Sequence, residues 1–158
     1  MDPYAASAFR IPVCLGADVS TYLMSAPNEV TTPKLARDFV RALVRAVGLG
    51  TGLQETVALL TSETVTNAHL HGASSHEVLV RVLVAGHGVR VSVHDDHPGL
   101  LTVGPGVGVS FPTDEAECGR GLLLLESLAD RWGITPRERA PLTKCVWFEL
   151  YEKEGGER

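Results

Sequence analysis

The segment EVLVRVLVAGHGVRVSVHDD, residues 77–96, constrains the fold more than any other part of the chain. Valine recurs at every second position on both sides of the short segment GHG. This period of two is typical of β-strands, and the short connection between them predicts a hairpin. The first strand is apolar on both faces apart from Arg81, which predicts a central position in a sheet. The second strand alternates valine with Arg90, Ser92 and His94.

One strand and two helices are predicted before this hairpin. TYLMSA, residues 21–26, is strand-like, and PKLARDFVRALVRAVGLG begins a helix at Pro33, since proline suits the first helical turn. Large apolar residues recur every four positions along this helix: Leu35, Phe39, Leu43 and Val47. A second helix is predicted from roughly Gly52 to His71, and Gly72 is well placed to end it.

The chain after the hairpin predicts a long loop, a helix and two strands. No regular period survives from Asp95 to Gly119, and such long loops are typically functional lids or disordered segments. A third helix is predicted to start near Gly121, and Gly133 is predicted to close it. Its inward-facing residues are predicted to be Leu122, Leu125, Leu128 and Ala129. ITPRER and KCVWFELYE then predict a terminal strand pair.

These elements predict an α/β (α+β) sandwich of two layers, with helices on one face of a mixed, mostly antiparallel sheet. The 158 residues suit a single domain, and 44% apolar residues supply a core. That domain is expected to span residues 21–150. Residues 1–20 are expected to form an extension, in which FRIPV is a short strand or packs on a partner. Residues 151–158 are expected to form a disordered tail.

Charge and composition exclude several classes of protein. A net charge of −5 without a lysine or arginine cluster predicts no direct contact with nucleic acid. The first ten residues lack the features of a signal peptide, and no apolar run is long enough to span a bilayer, which predicts a cytoplasmic location away from membranes. Three widely spaced cysteines fit neither a disulfide framework nor a zinc site.

A row of polar residues on the second helix indicates a binding site. Glu63, Asn67 and His71 are spaced by four, so they form one nearly straight row beside the apolar positions of the helix. The row contains no lysine or arginine to compensate a buried carboxylate. Mg²⁺ would compensate it, with the amide oxygen of Asn67 as a ligand and Glu63 positioned to act on a water or hydroxyl. A solvated polar stripe is the alternative. His69 points away from the row and is assigned no role.

Four motifs in one order resemble the GHKL ATPase superfamily. E-x-V-T-N-A-x-x-H-G, residues 63–72, resembles its N-box, and VRVSVHDDHPGL, residues 89–100, ends a strand where the family has D-x-G-x-G. GRGLLLLESLADRWG, residues 119–133, resembles the glycine-rich box, and KCVWFEL, residues 144–150, resembles the closing strand. The match is closest to the branch of anti-sigma-factor serine kinases and their ATP-binding regulatory relatives.

The resemblance implies a Bergerat-type fold that binds ATP and Mg²⁺. It implies that Glu63 is catalytic, that Asn67 holds the metal, and that His71 lies near the phosphates, although a histidine at a helix end is also typical of a cap or a packed side chain. Asp95 is implied to accept a hydrogen bond from the adenine amino group. The alternative for Asp95, or for its neighbour Asp96, is the start of a turn.

The remaining implied contacts lie around the loop and the last strand. Gly99 would let the backbone approach the nucleotide, and Cys145 occupies the place of a threonine that joins the aspartate in holding adenine. Phosphate would be bound before the third helix, by Gly119, Arg120 and Gly121.

Three positions depart from the family pattern. His97 stands where a glycine is usual, and the thiol of Cys145 is a poorer hydrogen-bond partner than a hydroxyl. Glu117 stands where a basic residue would be more useful beside phosphates.

The function implied is that of a kinase which phosphorylates a serine of an anti-anti-sigma (STAS-type) partner and sequesters a sigma factor. The resemblance is also compatible with a homodimer. The alternative is a non-catalytic module of the same fold that regulates by partner capture, with weak or no ATP binding. The catalytic domain of a sensor histidine kinase is disfavoured because the chain lacks a dimerisation helix with a phosphoacceptor histidine. A topoisomerase-like member would need transducer domains.

Overall fold

The computed structural model describes residues 18–71, 77–95, 116–136 and 144–153. In chain order the elements are β1 (Ser20–Pro27), α1 (Thr32–Ala46), α2 (Thr51–His71), β2 (Glu77–Ala85), β3 (Gly88–Asp95), α3 (Ala116–Leu128), β4 (Arg131–Pro136) and β5 (Lys144–Tyr151). The type and order of these elements confirm the sequence prediction.

The five strands form one open sheet in the order β1-β2-β3-β5-β4. All four pairings are antiparallel, so the prediction of a mixed sheet was wrong for the strands that the structure describes. The predicted hairpin is confirmed, since Ala85 pairs with Gly88 across a turn at Gly86 and His87. β2 is an interior strand as predicted, but β3 is the middle one, and β1 and β4 form the edges.

All three helices pack on one side of the sheet, which confirms the two-layer sandwich. The valines of β2 and β3 point to this side and form one core with Val146, Phe148 and Leu150 of β5. The helices contribute Ala36, Val40, Val44, Val57, Leu60, Val65, Ala68, Leu122 and Leu125 to the same core. We call this side of the sheet the helix side and the other the open side, since no described helix contacts it.

The buried stripe of α1 lies one position away from its row of large apolar residues. The buried positions are Thr32, Ala36, Val40 and Val44. Leu35, in contrast, is 53% exposed, and Phe39 and Leu43 pack at the margin of the core. Small side chains at the centre of the stripe let the helix axis approach its neighbours, and the larger ones cover the border.

The third helix differs most from its prediction. It begins at Ala116 rather than near Gly121, and it ends at Leu128. Gly133 lies in β4 and does not close the helix; a Cβ atom there would lie 2.8 Å from Cζ2 of Trp147, so β4 needs a glycine at this position. Leu122 and Leu125 are buried as predicted and Ala129 packs against the core, but Leu128 is exposed.

On the open side, β3 and β5 carry polar side chains that are nevertheless buried, whereas part of β2 belongs to a small apolar cluster. Glu149 is fully buried and forms a salt bridge with Arg90, with 3.1 Å between its Oε1 and Nη1 of the arginine. It also accepts a hydrogen bond from the hydroxyl of Tyr151. The guanidinium of Arg90 also lies 4.0 Å from the ring centroid of Trp147. Burial lowers the pKa of Arg90, and the charge of Glu149 opposes that change.

None of the helices in the described part of the chain is both long and apolar enough to cross a membrane.

Candidate functional site

Strand register brings four chain segments together at one end of the sheet. Pro27, the last residue of β1, pairs with Glu77, the first of β2, and Asp95, the last of β3, pairs with Lys144, the first of β5. Leu79 pairs with His94, so the start of β2 lies beside the end of β3. We call this the Asp95 end of the sheet.

The last turns of α2 are held at the same end. His69 Nδ1 lies 2.8 Å from Oδ1 of Asn28, and Asn28 directly follows the last residue of β1. The chain then enters β2 at Glu77, six positions after α2 ends. Asn67 is two residues from His69, so the C-terminal half of the polar row lies toward the Asp95 end.

The contact between His69 and Asn28 positions the site, and the sequence prediction missed it. His69 had no assigned role, and 41 positions separate it from Asn28. Neither residue type nor spacing in the sequence indicates this pair.

The polar row of α2 runs along the border of the buried face. The buried residues of this half of the helix are Val57, Ala58, Leu60, Thr61, Thr64, Val65 and Ala68. At 3.6 residues per turn, Asn67 lies about 20° and Glu63 about 60° around the axis from Leu60. Both side chains are half-buried, and within the described part of the chain neither makes a hydrogen bond or an ion pair. Their oxygen atoms are therefore available to a ligand or to water.

Asp95 is the polar exception on the helix side of β3. It continues the row of Val89, Val91 and Val93, because alternate residues of a strand point to the same side. Its side chain is only 1% exposed. A carboxylate buried at the end of an apolar row is a directional hydrogen-bond acceptor, and charge-assisted acceptors of this kind are stronger than neutral ones.

Cys145 lies on the other side of the sheet. It pairs with His94, and its Sγ lies 4.0 Å from Nε2 of that histidine, with both residues buried. The structure therefore does not bring the side chains of Cys145 and Asp95 together. The alternation of Val146, Phe148 and Leu150, which point to the helices, is the signal in the sequence that indicates this orientation.

The glycines assigned to phosphate binding lie inside α3 rather than before it. Gly119 is the fourth residue of the helix and Gly121 the sixth, with Arg120 between them. The unpaired N–H groups of a helix belong to its first turn, so the backbone of Gly121 lies beyond them. α3 packs beside α2 on the helix side.

Several predicted positions lie outside the described residues. These are Gly72, Asp96, His97 and Gly99, together with the side chains of His71, Glu117 and Arg120. His71 is the last residue of α2.

The residues present fit a magnesium ion that is held mainly by a ligand. No group of three histidine, cysteine, aspartate or glutamate residues in the described ranges could hold a metal ion. Mg²⁺, however, is commonly bound through one or two protein oxygens plus phosphates and water. The side-chain oxygen atoms of Asn67 and Glu63 are one helical turn apart and bond to no described residue, so they satisfy that requirement.

The sequence-family model of the histidine kinase-like ATPase domain matches residues 26–149 of this chain. The chain belongs to this family. The predicted GHKL-type ATPase domain is thereby confirmed, and the five-stranded sheet under three helices agrees with its fold. An uncharacterised protein of Streptomyces coelicolor is 38% identical over 87 residues, which is 53% of this chain and 77% of that protein.

Membership of the histidine kinase-like ATPase family implies ATP binding. The matched residues include the whole of α2, β3 and α3. Within them, the Asp95 end combines a buried carboxylate with half-buried oxygen atoms that have no partner in the described protein. We therefore assign the candidate ATP site to this end.

Proposed function

We propose that this protein is an ATP-binding regulator of the anti-sigma-factor serine kinase type. It phosphorylates a serine of an anti-anti-sigma (STAS-type) partner and sequesters a sigma factor. The observation that carries the proposal is the polar border of α2, where the side chains of Glu63 and Asn67 bond to no described residue, on a helix that runs to the Asp95 end. A helix that only needed to pack would gain nothing from a half-buried carboxylate that no described residue pairs with.

Each residue has a separate task in this proposal. Asp95 accepts a hydrogen bond from the adenine amino group and so orients the nucleotide. Asn67 gives an amide oxygen to Mg²⁺. When bound with ATP, Mg²⁺ neutralises charge on the phosphates and holds them in one geometry.

In this proposal Glu63 acts on the serine hydroxyl that attacks ATP. It lies four residues from Asn67, about 6 Å along the helix axis. The serine oxygen bonds to the γ-phosphorus while Glu63 takes the hydroxyl proton. The bond between the γ-phosphorus and the oxygen bridging to the β-phosphate breaks, which releases ADP. Phosphoryl transfer depends mainly on positioning and charge stabilisation, so one base on a rigid helix is sufficient.

The proposal is tested by incubating the protein with Mg²⁺, γ-labelled ATP and a STAS-type partner that is first shown to bind. The wild-type chain is expected to form phosphoserine, and Glu63→Gln to lower the rate by about 100-fold or more while ATP binding persists. Glu55→Gln is the matched control, because Glu55 is exposed on the same helix and pairs only with Arg41. No phosphoserine on a bound partner would defeat the kinase.

A second function is favoured by the position of Cys145. Its side chain lies on the open side, so Asp95 holds adenine without help from that residue. A protein with this weaker adenine contact would regulate by partner capture alone, with weak or no ATP binding. Calorimetry separates the two functions, since binding without phosphoserine retains a nucleotide switch and absence of binding leaves only partner capture.

A further inference from the structure

The outer surface of α1 carries an open groove of about 520 Å³ that is separate from the candidate ATP site. Its lining residues are Asp38, Arg41, Ala42, Arg45 and Ala46. Two exposed alanines lie next to the arginines in this lining, so side chains of another molecule have room beside Arg45. We call it the α1 groove.

This helix is basic in an acidic chain. It holds four of the 14 basic residues, at positions 34, 37, 41 and 45, and one of the 19 acidic residues, Asp38. These four positive charges and one negative charge give α1 a net charge of +3, whereas the whole chain carries −5. In the sequence the cations are three or four positions apart and form no run; the helix places them on neighbouring turns.

Two carboxylates, of Asp38 in α1 and of Glu55 in α2, offset the charge of Arg41 but leave that of Arg45. Oδ2 of Asp38 lies 2.5 Å from Nζ of Lys34, and Oδ1 lies 3.6 Å from Nη1 of Arg41. The hydrogen bond from Lys34 holds the pKa of Asp38 below its ordinary value. Arg41 also forms an ion pair with Glu55 of α2, with 3.3 Å between Nη2 and Oε2. Arg45, in contrast, is exposed and makes no ion pair with any residue in the described ranges.

The α1 groove lies toward the opposite end of the sheet from Asp95. The N–H of Gly50, in the turn between α1 and α2, donates to Glu152, which follows the last residue of β5. Asp95 pairs with Lys144 at the other end of that strand. A ligand in the groove therefore does not compete with ATP for the same residues.

We propose that the α1 groove binds an acidic helical segment of a partner protein. Complementary charge steers such a segment to the one basic helix of the chain, and its small side chains pack over Ala42 and Ala46. The negative net charge of the whole chain opposes binding to extended polyanions, such as an anionic membrane or a nucleic acid, which a local groove contact does not need. The inference goes beyond phosphoryl transfer and holds whether or not the protein is a kinase.

The test uses ¹⁵N-labelled full-length protein titrated with a blocked amphipathic peptide of leucine, alanine and glutamate. Its twin, with glutamine in place of every glutamate, is the peptide control. The glutamate peptide is expected to shift amide signals of residues 38–46, and the shifts are expected to weaken as salt is raised. The glutamine peptide is expected to leave these signals in place.

Two variants and one control decide the result. Arg45→Glu is expected to weaken peptide binding about tenfold. Ala42→Glu, which keeps every arginine, is expected to weaken it as well. Lys153→Glu changes the net charge as much as Arg45→Glu does, at an exposed position after β5, and is expected to bind like the wild type.

Four outcomes would overturn the inference. These are no shifts in α1, equal binding of both peptides, and undiminished binding by folded Arg45→Glu and Ala42→Glu. The fourth is a response of the same signals to phosphatidylserine vesicles and not to the peptide, which would assign the groove to a membrane.

Discussion

Both sides of β3, the middle strand of the sheet, are buried, but they are built from different chemistry. On the helix side, β3 presents Val89, Val91 and Val93 before it reaches Asp95. On the open side, the same strand presents Arg90, Ser92 and His94, which are 7%, 1% and 2% exposed. Burial alone therefore does not mark a functional residue; its meaning depends on what surrounds the side chain.

This difference explains why Asp95 is the informative residue and Glu149 is not. Both carboxylates are buried, at 1% and 0% exposure. Glu149 is bound within a polar group, by Arg90 and Tyr151, so its charge is compensated by the fold. Asp95 ends a row of valines on the helix side, at the mouth of the candidate ATP site, so its position rather than its burial distinguishes it.

The largest expected loss of stability is on the helix side. Phe148→Ala removes a fully buried aromatic ring from the core between sheet and helices. It is expected to lower the free energy of unfolding by about 4 kcal/mol, since the cavity adds to the lost transfer energy. Urea denaturation measures this. Phe148→Leu, which keeps most of the volume, is the control and should lose clearly less; equal losses would show that the core is not tightly packed.

A somewhat smaller loss is expected on the open side. Glu149→Gln leaves the buried charge of Arg90 without its counter-charge and is expected to lower the free energy of unfolding by about 3 kcal/mol.

The matched double variant sharpens that comparison. Arg90→Met combined with Glu149→Leu removes both charges, and replacing a buried ion pair by apolar residues is often neutral. The double variant is therefore expected to be more stable than Glu149→Gln alone. If it is less stable, the open side depends on more than the pairing of its charges.

The sequence predicted the elements and their order because their patterns are local. Alternating valines identify β2 and β3, and the spacing of apolar residues identifies α1 and α2. The start of α3 was misplaced because glycine is a poor helix former, so Gly119 and Gly121 predicted a loop. Tertiary contacts with the neighbouring helix outweigh that local preference.

Two features of the structure could not be predicted from local patterns. One is the contact of His69 with Asn28, which depends on how α2 meets the end of β1. The other is the burial of Arg90, Ser92 and His94, since an alternating strand looks the same whether its polar side is wet or covered. The orientation of Cys145, in contrast, follows from alternation in β5 and was available in the sequence.

The most direct test is calorimetric titration of Mg²⁺-ATP into the wild-type chain and into Asp95→Asn. The wild type is expected to bind, and Asp95→Asn to bind about 10- to 100-fold more weakly, because it loses a charge-assisted hydrogen bond to adenine. The titrations are compared at a temperature where circular dichroism shows Asp95→Asn to be folded like the wild type. Equal affinity of the two proteins for Mg²⁺-ATP would show that the nucleotide does not bind at the Asp95 end.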